Sequence, residues 1–529
     1  MVKGERNILR RWLGLTILSI FHFPFSISQT MVYLEHSETL SFDEERIADA
    51  QILRGDVRFR HEDALMYCDS AYFYEKTNSL DAFGHVWFVQ GDTLQGFGDV
   101  LYYDGNTKQA RLRQNVKLVH GRNRENPTVL TTDSLNYDRN ENIAYYFTGG
   151  IIQDTVNTLT SVRGSYEPDT KQAIFSRDVR LVNKKFTLES DTLLYNTESR
   201  VADIVSPTTI VYEEETTIFT SRGWYNTSTE ESMLLDRSRV VHVDGKSMTG
   251  DTIYYDKSIG FGQVVGRMEM RDTVQQATLY GNYGEMWEED SRGYATDSAL
   301  MVDWSDTAHY SYIHADTLFT EELHYTDSAR LDSTYRRVRA YYGVRVWRDD
   351  MQMVCDSLVY LGSDSTIHLF THPVCWSDNI QLSADSVTLY IHDGTVERAE
   401  GIGKALTVMQ DTVTLLFNQM SGKEMTAYLK DGDVELVDLS GNALTIYYPT
   451  EDDGDVIGMN TTESSFIRIY VEDQKIRRLR FTKETTGILY PLDQVPDGAD
   501  RLAAFFWAEH LRPTDPEDVF RRVKLTTGN

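Results

Sequence analysis

A chain of 529 residues with a formal net charge of −29 has no clustered basic face for phosphate, which argues against nucleic acid and against simple electrostatic capture of an anion. Hydrophobic residues make up 41 %, with only 10 Pro but 31 Tyr, a balance that argues against disorder and suits half-buried strands. Three cysteines, Cys68, Cys355 and Cys375, cannot all pair within one chain; a Cys355–Cys375 bridge and buried free thiols both stay open.

The N-terminus carries Lys3, Arg6, Arg10 and Arg11, an apolar run from Trp12 to about Phe25, then small residues Ser26 and Ser28. This layout predicts a secretory signal peptide over 1–28 and hence export to the periplasm, with association to the outer membrane left open. The apolar run is shorter than the ~20 residues a membrane-spanning helix needs.

From residue 29 two phrases interleave. One is led by Asp: Asp69-Ser-Ala-Tyr-Phe, Asp99-Val-Leu-Tyr-Tyr, Asp133-Ser-Leu-Asn-Tyr, Asp191-Thr-Leu-Leu-Tyr, Asp251-Thr-Ile-Tyr-Tyr and Asp356-Ser-Leu-Val-Tyr. The other is Gly55-Asp-Val-Arg-Phe, Gly84-His-Val-Trp-Phe, Asn115-Val-Lys-Leu, Asp178-Val-Arg-Leu and Gly266-Arg-Met-Glu-Met. Each recurs at about thirty residues, the mark of stacked supersecondary blocks. Within a phrase apolar residues recur every second position, so the blocks are strands. Between them, Asp104-Gly-Asn, Asp138-Arg-Asn-Glu-Asn and Asn196-Thr-Glu-Ser read as turns.

The Asp-Ser/Thr pair is expected to cap a turn as a strand begins, since a recurring pair fits turn chemistry better than a single active site. The Gly before Val-x-Phe is expected at a bulge or a positive-φ turn. The repeats run over 29–284, an irregular acidic break is expected over 285–336, repeats resume over 337–450, and 451–529 forms a C-terminal cap. Within that cap, 503–510 is compatible with a short helix.

No nucleophile elbow, zinc-helix motif or phosphate loop is present, and the 13 His sit at no ligand spacing. No catalytic residue, metal ligand or cofactor is therefore expected. The pattern does offer an apolar strip along the inner faces of two packed sheets, which forms either a closed core or a groove open to an acyl chain. The inner positions are Val57, Phe59, Phe73, Val86, Phe88, Leu101, Tyr103, Val116, Leu118, Leu135, Tyr137, Leu193, Tyr195, Ile253 and Tyr255.

These interleaved phrases in an exported chain resemble the OstA-like family, relatives of LptA and of the N-terminal domain of LptD, from about Ala48 to Tyr448. Ala315-Asp-Thr-Leu, Cys355-Asp-Ser-Leu-Val-Tyr, Pro373-Val-Cys-Trp, Phe417-Asn-Gln-Met-Ser-Gly-Lys, Gly441-Asn-Ala, Phe506-Trp507 and Arg512-Pro513 resemble its long Bacteroidetes-type members. The resemblance implies an all-β fold, repeated antiparallel strands stacked as β-jellyroll (β-taco) domains. It further implies a lipopolysaccharide transport protein that holds lipid A acyl chains. Its partners would be other jellyroll proteins of the transport system, met through edge strands, and an outer-membrane LptD-like protein. The chain departs from the short LptA pattern in length, in the acidic break and in the tail. A structural or adhesive β-repeat with a closed core stays open as the alternative, and a β-solenoid carbohydrate-active enzyme would need two carboxylates converging in a polar cleft.

Overall fold

The structure, a computed structural model, describes residues 30–121, 127–289, 291–325, 333–430, 432–451, 454–472 and 475–523. The expected signal segment, 1–28, lies outside them. Two units are present, residues 1–124 with 134–141, and residues 125–133 with 142–529. Both are built almost wholly from antiparallel strands, as the period-two pattern predicts.

In the first unit, strands Gln51–His61, Ala64–Tyr74, Ser79–Gln90, Leu94–Asp104 and Gln109–His120 pair each with the next, and the short strands Tyr33–His36 and Thr39–Phe42 pair along the outer edge of Gln51–His61. Every long strand breaks register near its middle. Between Phe83 and Val86, for example, Gly84 and His85 stand opposite the single residue Asp99, with φ of 73° and 44°. A two-against-one bulge of left-handed residues bends the strand, so its halves serve two facing sheets. Phe59 from one half meets Phe73 from the other with ring centroids 5.4 Å apart.

This places the Asp-led phrase differently from the sequence expectation. Asp69-Ser70 does not begin a strand; it lies in the interior of Ala64–Tyr74, at the corner. Asp191, Asp251 and Asp356 likewise oppose the left-handed pairs Arg177–Asp178, Asp236–Arg237 and Tyr342–Gly343. The carboxylate covers the corner of the following strand: Asp69 Oδ2 receives His85 Nδ1 at 2.7 Å, and Asp99 Oδ2 receives Asn115 Nδ2 at 2.6 Å. Turns close the strand ends as expected, with Asp104 Oδ1 accepting the Asn106 amide at 2.9 Å and Asn196 Oδ1 accepting the Ser199 amide at 2.8 Å.

The second unit repeats the plan from Gly150–Gln153 to Thr486–Tyr490. The backbone stays regular where the sequence rhythm loosens. Over the described part of 285–336, strands Arg292–Thr296, Leu300–Asp303, Ser311–His314 and Thr317–Tyr325 continue the antiparallel pairing. Exposed acidic turns blur the composition there without interrupting the ladder.

Beyond Thr486–Tyr490 the chain leaves the sheet. No α-helix forms over 503–510; only the single turn Glu509–Leu511 is helical. Residues 500–518 instead run back over the outer face of one sheet, where side chains of the strands take up the backbone groups that a helix would pair internally.

Candidate functional site

Fourteen of the fifteen expected inner residues are buried, none more than 6 % exposed. Tyr255 is the exception: it is half-buried, and its hydroxyl donates to Glu288 Oε1 at 2.6 Å.

The apolar members do line an interior. In the first unit, Phe59, Met66, Phe88, Gly96 and Leu118 stand directly opposite one another on successive strands, and Leu53, Ala71, Ala82, Leu101 and Leu112 form the matching row of the facing sheet. These rows are packed against each other. The space left among Ala64, Met66, Phe88, Leu101, Tyr103, Ala110, Tyr137 and Arg139 is about 10 Å³, room for one water.

The recurring tyrosines do something else. They end the phrase at the edge away from the corner, and there they tie the two sheets together. Tyr103 hydroxyl lies 2.6 Å from His61 Nδ1 and accepts Arg139 Nη1 at 2.7 Å; Arg139 also donates to Asp63 Oδ1 at 2.8 Å. Tyr137 donates to Gln90 Oε1 at 3.0 Å. Burial, then the neighbouring Arg139 charge, pulls the His61 imidazole below its ordinary pKa. In the second unit Tyr195 accepts Asn157 Nδ2 at 2.8 Å, and Asn157 reaches Thr227 Oγ1 at 3.1 Å. Burial pushes the Tyr195 phenol up to about 12. Tyr103, Tyr137 and Tyr195 therefore bury their rings with the aliphatic and Phe positions while their hydroxyls latch the edge.

In the second unit one inner row continues strand after strand without a break. It runs Leu130, Ile152, Leu159, Leu181, Leu188, Ile210, Ile218, Val240. It goes on through Met248, Met270, Leu279, Met301, Ile313, Val346, Met353, Cys375 and Leu382. Leu130 to Ile210 are buried, whereas Ile218, Val240, Met248 and Met270 are partly buried and pack against the core. This lane extends past the expected residues, and the signal for it was their own two-residue rhythm, carried into strands without an Asp-Ser phrase.

Cys355 and Cys375 are buried free thiols on neighbouring strands, and Cys68 is a third. Among the described residues, one His–carboxylate group has metal-ligand proximity, His309 with Asp349 and Asp350. Arg348 Nε pairs with Asp350 at 2.7 Å and His309 Nδ1 lies 2.6 Å from Asp349, so the group is already an exposed ion-pair cluster.

Residues 29–191 match the family model of the OstA-like protein. That segment is similar to the OstA-like family. No curated protein matches the chain. The OstA-like segment holds the expected inner residues from Val57 to Tyr137, while Leu193, Tyr195, Ile253 and Tyr255 follow it on strands that repeat its corners and rows.

Proposed function

We propose that the protein is a non-enzymatic, periplasmic carrier of lipopolysaccharide, holding acyl chains along the apolar lane between its two sheets and assisting transfer to the outer membrane. The observation that carries this reading is the unbroken lane from Leu130 to Leu382, only partly buried at Ile218, Val240, Met248 and Met270. Burial of aliphatic chain contributes about 0.8 kcal/mol per CH₂ and needs no charge, which fits a lipid ligand to a strongly acidic protein. Methionine side chains adapt to irregular apolar shapes, and Met248 and Met270 stand side by side in the partly buried stretch. Partners would be jellyroll proteins pairing with the terminal strands and an LptD-like protein in the outer membrane.

A second reading, a scaffold with a closed core, draws support from the filled interior of the first unit. One experiment separates the two. A photo-crosslinking residue is placed at Met248 or Met270, and in parallel at the outward neighbours Thr249 and Arg271. The carrier yields lipopolysaccharide adducts at the inward sites alone. Adducts at neither pair, or equally at both, favour the scaffold.

A further inference from the structure

Most strands of the second unit before residue 344 alternate one buried and one outward face. Then both faces are buried: Met353 and Cys355 point into the core, while Gln352 and Val354 are 3 % and 2 % exposed on the opposite face. The same holds at Val374 and Trp376 and at Leu406 and Val408. A sheet buried on both faces has something lying over it. The cover is the tail.

Along the outer face, Trp347, Gln352, Trp376, Gln381, Val408, Gln419 and Ile446 stand directly opposite one another on successive strands. Across the middle of this row apolar residues and glutamines alternate. Gln381 and Gln419 are 0 % exposed. Each bonds the tail in the same way. Gln419 Nε2 donates to Asp500 O at 2.8 Å while its Oε1 accepts the Leu502 amide at 2.9 Å. Gln381 Nε2 donates to Phe506 O at 2.7 Å while its Oε1 accepts the Ala508 amide at 2.7 Å. Carbonyl of residue n and amide of residue n+2 are the groups that one residue of a neighbouring strand would engage. The glutamine side chain thus imitates a strand's backbone, and reads main chain rather than side chains.

Gln352 Oε1 accepts Arg512 Nε at 2.7 Å, and buried Arg345 closes the far end, donating to Leu511 O at 2.9 Å and Asp518 Oδ2 at 3.1 Å. The tail therefore crosses the strands in the reverse of chain order. Ala508 and Leu511 pack with Val354, Val374 and Trp376 as a small second core. Among the described residues, no backbone–backbone hydrogen bond joins 491–523 to a strand, and the connecting residues Pro496, Asp497 and Gly498 are exposed.

We propose that the outer face bearing Gln352, Gln381 and Gln419 is a peptide-binding track, and that residues 499–520 are a separable peptide ligand occupying it in cis. The assignment is independent of what the interior carries, since the track faces away from the lane.

The test uses the full chain with a protease site inserted between Asp497 and Gly498. After cleavage under native conditions, the released segment should co-elute with the body on gel filtration and exchange with an added fluorescent peptide of residues 498–523. Gln381→Ala with Gln419→Ala, which removes four hydrogen bonds to the tail, should speed release by a factor on the order of tenfold or more. Full-length copies that exchange tails would appear as a dimer, and this too supports the track. A cleaved body that precipitates or loses its strand signal would show the tail to be an integral layer of the fold, and so would a segment that never exchanges. Amide exchange on the uncut protein needs no variant to fold. Leu502 and Ala508 amides should be protected like those of the strands, and free exchange at both overturns the proposal.

Discussion

The Asp251 carboxylate grips Arg267 across the corner of the next strand, accepting Nη2 at 2.6 Å and Nε at 3.1 Å on Oδ1. The preceding residue, Gly266, has φ +78°, and a Cβ there would stand 2.7 Å from Asp251 Oδ2. Gly266→Ala therefore meets two obstacles at once, a left-handed backbone and a wall of side chain. We expect a loss of about 3 kcal/mol or more. Gly91→Ala has the same backbone difficulty at φ +56° but open space around it, and should cost about 1 kcal/mol. Denaturant unfolding of the two variants checks this; equal losses would remove the corner carboxylate from the account.

The edge latches predict opposite fates for two buried tyrosines. Tyr195→Phe strips a partner from Asn157, itself 3 % exposed, and should destabilise by about 1–3 kcal/mol. Among the described residues the buried Tyr225 hydroxyl has no hydrogen-bond partner. Tyr225→Phe should be neutral or stabilising, since it removes an unsatisfied group without opening a cavity. Thermal melts of both variants decide, and a Tyr225→Phe loss as large as that of Tyr195→Phe would contradict the latch.

His61 makes the first unit sensitive to mild acid. Its folded-state pKa is lowered from 6.5, first by burial and then by Arg139, with Glu62 and Lys108 also facing it. Below about pH 6.5 the unfolded chain takes up a proton that the folded chain resists, so the unfolded state binds more protons and stability falls with pH. This contribution is intact above 6.5 and is lost as pH drops through the lowered pKa. His314 in the second unit shifts the same way, again through burial, so the His61 share is isolated by comparison with His61→Gln. Urea midpoints at pH 7.5 and 5.5 should fall further in the wild type than in the variant; parallel falls would exclude His61.

All three thiols should be inert in the folded protein. Burial raises Cys68 and Cys375 to about 12 and raises Cys355 as well. At pH 8 almost no thiolate is present to react. Mass spectrometry after iodoacetamide should show no adduct under native conditions and three in denaturant. Native labelling at any of them would mean that the surrounding strands open.

Much of the fold is legible in the sequence because alternation and turn chemistry are local. Leu135, Leu193 and Ile253 could be assigned inward from their neighbours alone, and Asp104 and Asn196 could be read as turns. The corner was not legible in the same way. Cys68 and Ala71 both point inward although they are three residues apart, and that slip of phase at Asp69-Ser70 looks like the end of one strand and the start of another. It is a single strand changing sheets. The tyrosines' hydroxyl bonds at the sheet edge were not legible, because periodicity gives a face but not a distance from the edge. The glutamine track did leave a trace, since Gln352, Gln381 and Gln419 each stand four residues before a corner residue, Asp356, Asp385 or Lys423. Nothing local shows that their partner lies 81 to 160 residues downstream.

Since one strand serves both sheets, its two halves are counted outward from the corner in opposite directions. Deleting one residue between Leu80 and Phe83 would turn that half inside out while Val86 and Phe88 kept their places, leaving a rung half correct and half reversed. A small frame error is therefore worse than a large one. Loss of an entire hairpin, about thirty residues, would rejoin strands of the right direction and leave every remaining side chain on its proper face. Such a chain can change its length by whole repeats far more readily than by single residues.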